Sequence, residues 1–268
     1  MTSPFYTELV EEIEALAYAE GYSVLLCHTG RDIAKERRYL GLLRSYRVDG
    51  IVWAPTGGVT DYPEDEFRRF TIPIVFVDRV LSTFQSFDSV LLDNHTAGFR
   101  ATKYLLDLGH TRIAMLSGPE HLEPARQRND GYRDALRKRD IVVDETLIRN
   151  GAFRSAEAFE QARKLLSENL QVSAIVAANN HTFIGLMNTL KHLGLSCPAD
   201  ISVVAIDDFP LAAVLNPPLT TIRQPVREIA EHAVNILHRR ILREPVKEAV
   251  HRLVEPTLIV RESCAPLR

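Results

Sequence analysis

Two adjacent carboxylates, Asp207 and Asp208, close the apolar run Ile201–Ile206, and a proline-braced segment from Asn216-Pro217-Pro218 to Gln224-Pro225 follows them. The run reads as a buried parallel strand, because strands covered on both faces need no polar alternation. Ligands of open α/β sheets collect beyond the carboxyl ends of strands, so an acid there can meet a polar ligand. An ionised carboxylate accepts only, and it can take two hydroxyl donors, as neighbouring ring hydroxyls would supply. Asp207 is the candidate. A helix cap or an ion pair would explain it without a ligand, and Asp208 is the better placed of the two for capping. Arg128 lies three residues before Gly131-Tyr132. Its planar guanidinium could hold adjacent ring oxygens or a carboxylate, although a surface helix charge is the ordinary reading of the sequence alone. Asn179 ends the run Ala174–Ala178, where an amide can donate and accept, or simply make a turn.

These residues need strands and helices to place them, and apolar runs alternate with amphipathic stretches at the rhythm of a βαβ fold. Strands are expected at Val24–Cys27, Ile51–Ala54, Ile74–Val77, Ile113–Leu116, Ala174–Ala177, Ser202–Ile206 and Leu258–Val260. One helix shows Leu9, Ile13, Leu16 and Ala17 on a face, started by Ser3-Pro4 and stopped by Gly21. Two others end at Gly109 and at Gly194.

A weak internal repeat runs through this pattern. Ser23–Leu26, Asp49–Pro55 and Ile72–Asp78 form one series; Thr146–Ile148, Ser173–Asn179 and Ile201–Asp207 form the other. An acid closes the last strand of each, and two similar α/β lobes are inferred. The second series is preceded by the strand Ile113–Leu116, and the first has no such opening strand. By the repeat, that strand is expected within roughly ten residues upstream of Met1; the simplest account is that Met1 is an internal position of a longer chain, and the alternative is a natural chain that manages without the strand.

The whole chain sets wider limits. Its 268 residues are 46% hydrophobic and 25% charged with a net charge of -3, an ordinary soluble composition with no global attraction for nucleic acid. The basic runs Arg137-Lys138-Arg139 and His238-Arg239-Arg240 read as solvated helix faces. No apolar run approaches the roughly 18 residues of a membrane span, and no secretory signal opens the sequence. Cys27, Cys197 and Cys264 are odd in number and without ligand-like spacing, which fits buried thiols in a reducing cytoplasm better than disulfides or a metal site.

Several strings together carry a resemblance: SPFYTELVEEIE, RVDGIVWAP, FVDR, DSVLLDN, LGHTRIAMLSGP, RNDGYRDAL, ANNHTFIG, CPADISVVAIDD, PPLTTIRQP and EPTLIVRES. In this order and spacing, over essentially the whole chain, they resemble the effector-binding core of the lactose/galactose-repressor (LacI/GalR) family of transcription regulators. The resemblance implies an α/β, periplasmic-binding-protein-like (type I) fold: two doubly wound parallel-sheet lobes joined by three crossovers, with an effector cleft between them. It divides the chain into residues 1–109 plus 224–254 and residues 110–223 plus 255–268. It also implies an effector site of Phe5, Tyr6, Thr96, Arg128, Phe153, Asn179, Asp207 and Gln224. The aromatic positions, usually core packing, would wall the site; Thr96 and Gln224 enter through the resemblance alone. A sugar-like effector, a homodimer built on Glu8–Glu20 and Leu186–Leu193, and operator DNA are the implied partners, with no membrane and no cofactor. The family's helix-turn-helix and hinge helix have no match in this sequence, so operator contact would come from an N-terminal domain absent from it.

The sequence departs from the family where Asn179-Asn180 stands for the usual Asn-Asp, and where His121-Leu122-Glu123-Pro124 is apolar in place of serines. An asparagine can take over the acid's expected capping role but not its charge. Two other classes are weighed. An enzyme would need a constellation such as Gly-x-Ser-x-Gly or His-Glu-x-x-His, and neither occurs; adjacent carboxylates on one strand also point to opposite faces. A periplasmic sugar-binding protein of a transport system shares the fold, but the Pro198–Ser202 approach and the Pro217–Thr221 crossover look like repressors.

Overall fold

In the computed structural model, which describes residues 3–58, 61–62, 72–81, 86–168, 171–244 and 248–267, the chain builds two separate sheets by βαβ connections. In order it forms α1 (Pro4–Ala19), α2 (Ile33–Ser45), β1 (Ile51–Trp53), β2 (Ile74–Val77) and β3 (Asp88–Leu92). Next come α3 (Asn94–Asp107), β4 (Ile113–Ser117), α4 (Glu123–Arg137), β5 (Ile148–Asn150), α5 (Ser155–Ser167) and β6 (Ala174–Ala177). The last elements are α6 (Asn180–Leu193), β7 (Ser202–Ile206), β8 (Thr220–Arg223), α7 (Val226–Ile241), β9 (His251–Val254) and β10 (Thr257–Ile259).

Unit 1 holds Met1–Leu92 and Pro225–Val254; unit 2 holds Asp93–Gln224 and Glu255–Arg268. The chain therefore passes between units three times. In unit 1 the sheet order is β1-β2-β3-β9, all parallel. Its core joins Val75, Val77 and Val90 to Phe5 and Leu9 of α1 and to Ile229, Ala233 and Ile236 of α7. In unit 2 the order is β10-β8-β7-β6-β4-β5, parallel except for the β10–β8 pair. Its central strands are sealed on both faces, as their continuous apolar runs require. This is the doubly wound, periplasmic-binding-protein-like architecture expected from the sequence.

The structure corrects the expectations in several places. Val24–Cys27 is not a strand: it joins no sheet, and Val24, Leu25 and Leu26 are exposed. A strand exists only through its ladder partners. The segment matching it in unit 2, β5, pairs with β4 and not with β6. Among the described residues, unit 1 has no strand in the place of β4.

The first crossover lies at Leu92–Asp93 and not at Gly109-His110. Asp93 caps α3, accepting from the Thr96 N–H at 2.8 Å, and α3 then packs on α4 of unit 2. Two glycines bring these helices together. A Cβ on Gly98 would stand 2.0 Å from the Arg128 carbonyl oxygen, and one on Gly131 would stand 2.0 Å from that of His95. Gly109 therefore follows a helix that lies within unit 2 and does not mark the boundary between the units.

Leu186 and Leu190 are core residues of unit 2, so the outer surface of α6 is carried by Ile184 and Leu193. The three cysteines are free thiols of intermediate exposure, not fully buried ones. Burial raises Cys197 to about 12 and Cys264 to about 11. No helix among the described residues is long and apolar enough to cross a membrane.

Candidate functional site

Six of the eight expected site residues belong to unit 2, where they gather at the carboxyl ends of β4, β6, β7 and β8, and along α3 and α4. Asp207 is the first residue beyond β7. Its backbone turns left-handed at φ 77°, a conformation that costs a non-glycine residue about 1–3 kcal/mol. The turn is held by the Asp207 N–H, which donates to the Ile222 carbonyl at 3.0 Å. The side chain is buried, and its Oδ1 accepts from Nε2 of Gln224 at 2.5 Å. Gln224 is the residue after β8, and β8 lies parallel to β7 with Ile222 beside Ile206. Register alone thus brings the two expected ligand groups side by side.

Asp208 does not cap a helix. Its carboxylate takes Arg261 at 2.9 Å, Arg223 at 2.6 Å and the Thr221 hydroxyl at 2.8 Å. Burial alone would raise its pKa, but these hydrogen bonds outweigh burial and hold it at about 2. The two neighbouring acids therefore separate: Asp208 braces the sheet, and Asp207 faces the strand ends.

Arg128 is buried on α4, so it is not the surface charge that sequence alone favours. Its Nε donates to Oδ1 of Asn94 at 2.8 Å, and its Nη1 donates to the Ala178 carbonyl at 2.5 Å. These contacts fix the guanidinium just past the end of β6, with donors left over from its five. The Phe153 ring lies beneath it, 6.0 Å from the guanidinium carbon. Ala152 and Phe153 both adopt left-handed backbone, φ 54° and 52°, which turns the ring onto Gly118 beyond β4. A Cβ on Gly118 would come within 2.4 Å of that ring, so only glycine leaves it room. Asn94 was missed as a contributor. Its signal was the Asp-Asn pair that follows the apolar run of β3, but only the fold shows that α4 returns beside it.

Asn179 and Thr96 are placed differently from a simple ligand contact. Asn179 caps α6: its Oδ1 accepts from the Thr182 N–H at 2.8 Å, and the Thr182 hydroxyl accepts from the Asn179 N–H at 2.9 Å. The cap thus falls to Asn179 and not to Asn180, whose buried amide has neither Oδ1 nor Nδ2 bonded among the described residues. Thr96 donates its hydroxyl to Oδ2 of Asp93 at 2.7 Å, completing the α3 cap.

Phe5 and Tyr6 belong to unit 1. Phe5 is a core residue there, packed with Leu9, Val75 and Val77, so its role is the ordinary one for an aromatic at a helix start. Tyr6 sits edge-on to it at 5.0 Å and donates its hydroxyl to Oδ2 of Asp78 at 2.5 Å. Burial first, and then the charge of Asp78, push the Tyr6 pKa up, which keeps it a donor. Among the described residues no cluster of His, Cys, Asp and Glu could hold a metal ion.

Chemically, the unit 2 cluster offers a carboxylate acceptor, a fixed guanidinium, two amides and one aromatic ring along a single sheet edge. That set suits a polyhydroxylated ring with an apolar face.

Residues 102–264 match the family model of the periplasmic binding protein-like domain. The chain is 36% identical over 260 residues to the ribose operon repressor of Escherichia coli strain K12, covering 96% of this chain and 74% of that one. It is 34% identical over 262 residues to the HTH-type transcriptional repressor PurR of Vibrio vulnificus, covering 98% and 78%. In structure it is similar to a LacI family transcriptional regulator from Enterococcus faecium with bound ribose. That TM-score is 0.87 at 26% identity, covering 100% of this chain and 97% of that one.

Proposed function

Because this chain belongs to the LacI/GalR family of transcription regulators, and is an effector-binding core of that family, we propose that its effector is a sugar or sugar-like polyol. The observation that carries this reading is the strand-edge row of unit 2. There Asp207 and Gln224 present an acceptor and an amide, and Arg128 lies over Phe153 at the next strand ends. Ring hydroxyls would bridge Asp207 and Arg128, and the C–H face would stack on Phe153. The similar regulator with bound ribose and the similar ribose operon repressor support a sugar over other effectors. The relatives are repressors and not transport receptors or enzymes, which favours regulation over the transport alternative.

Control would be allosteric. An effector that binds one conformation better than another shifts the population toward it, and operator affinity follows by linkage. Operator DNA would be read in the cytoplasm by a helix-turn-helix such as the family carries, and not by any element described above. A homodimer would use the exposed parts of α1 and α6, including Tyr18, Ile184 and Leu193. The test is thermal stabilisation by a panel of pentoses and hexoses that includes ribose, followed by calorimetric titration of the best one. Saturable one-to-one binding is expected, lost in Arg128→Ala and in Asp207→Ala. Unchanged binding in both variants would overturn the site.

A further inference from the structure

The basic run at the end of α7 has no part in the proposed effector site, yet it does not lie on an open helix face. Asn235, Arg239 and Arg240 line a concavity of ≈ 210 Å³ together with His232, Val250 and Arg252. On the same measure a single water needs only about 10–15 Å³, so the space admits a polyatomic ligand. The α7 residues fall on one helical stripe, and Val250 and Arg252 alternate onto one face at β9. All belong to unit 1. They sit by Asp88 and His251, where β3 and β9 begin, whereas Asp78 lies beyond the carboxyl end of β2. The concavity is therefore at the opposite end of the unit 1 sheet from Tyr6 and Asp78.

Its charge is not balanced. Arg240 is committed, donating to both carboxylate oxygens of Asp88 at 2.8 and 2.7 Å. Arg239 donates through Nε alone to Glu244, at 2.6 Å, and His232 stands 3.8 Å from Glu228. Arg252 has no acidic partner among the described residues. Favourable interaction with the carboxyl end of a helix accounts for cations in the last turn of α7. A charge on an edge strand also discourages strand pairing. Neither reason accounts for Arg252 lining one concavity with Arg239, the Asn235 amide and the apolar Ile236 and Val250.

We propose that this concavity is a second ligand site, for the phosphoryl group of a small phosphate monoester. Two guanidinium forks can each chelate oxygens of one phosphoryl group, and Asn235 adds an amide donor. A phosphoryl group brings three acceptor oxygens and nearly two charges, where a carboxylate brings two oxygens and one charge.

Calorimetric titration of the whole chain with inorganic phosphate at low ionic strength tests this, because salt screens such contacts. Saturable binding is expected, weakened about tenfold or more in Arg252→Ala and in Arg252→Glu, both at an exposed position that leaves the far-UV spectrum intact. Ribose 5-phosphate against ribose separates the sources. Equal affinity for phosphate and the ester supports recognition of the phosphoryl group alone, and tighter binding of the ester that Arg252→Ala weakens and Arg128→Ala leaves unchanged supports a monoester there. No saturable binding up to about 20 mM phosphate, or wild-type affinity in both Arg252 variants, would overturn the site. So would loss of phosphate binding in Arg128→Ala with Arg252→Ala unaffected.

Discussion

Asp78 and Asp207 end β2 and β7 with the same left-handed backbone, φ 64° and 77°, and each carboxylate is met by a neutral donor, Tyr6 in one unit and Gln224 in the other. Two independent strands thus stop on a left-handed acid met by a neutral donor, and Arg79 pairs in addition with Asp78 at 3.4 Å. Gln224 brings no charge to Asp207, whereas Asp208 is met by the guanidinium groups of Arg223 and Arg261.

The strain makes the Asp207 backbone and side chain separable by mutation. Asparagine tolerates left-handed φ far better than alanine does. Asp207→Asn should therefore keep wild-type stability within about 0.5 kcal/mol, and Asp207→Ala should lose more than that. Both should weaken sugar binding about tenfold or more, since a hydrogen bond to a charged group is worth about 1.5–3 kcal/mol. Urea unfolding and calorimetric titration on the same preparations read the two effects apart.

Arg128→Lys tests whether geometry or charge matters at the other end of the row. A lysine keeps the charge but cannot donate to Asn94 and to the Ala178 carbonyl with a fixed fork. Loss of those partners in a buried site should cost about 1–3 kcal/mol of stability and at least tenfold in sugar affinity. Wild-type affinity in Arg128→Lys would show that a point charge is sufficient there.

How much of this was readable in the sequence depends on whether the signal was local. The strands ending on Asp78 and Asp207 were legible, because an apolar run closed by an acid is a local pattern. The Asp207–Gln224 contact was half legible: both residues were picked, but only the β7–β8 register makes them neighbours. Asn94 was missed, and the lobe boundary was misplaced by a whole helix, because both depend on α3 lying against α4. Val24–Cys27 failed for the opposite reason. Its residues favour a strand, but no ladder is there to receive them.

Asp208 should govern acid stability. Its folded pKa of about 2 lies below the unfolded value of 3.8, so its contribution is fully present above pH 4 and is lost as pH falls toward 2. The difference corresponds to about 2 kcal/mol. Asp208→Asn should therefore be less stable than wild type at pH 6, and the gap should close by pH 2. Urea midpoints across that range measure it, and a gap that persists at pH 2 would point to lost hydrogen-bond geometry instead of charge.

The glycine pair of α3 and α4 links stability to the site. An added methyl at Gly131 would meet the His95 carbonyl, and one at Gly98 would meet the carbonyl of Arg128 itself. Neither neighbour is a flexible side-chain end, so the helices must part. Overpacking of this kind costs about 1–3 kcal/mol or more, outweighing the helix-propensity gain of about 1 kcal/mol from glycine to alanine. Parting α3 from α4 also draws Arg128 away from Asn94, since these two residues sit on the facing helices. Gly98→Ala and Gly131→Ala should then lower the unfolding midpoint and weaken sugar binding together. Gly41→Ala, on α2 with open space around it, should do neither and serves as the propensity control. A variant of Gly98 or Gly131 that loses stability but keeps full sugar affinity would mean that Arg128 is held by Ala178 alone.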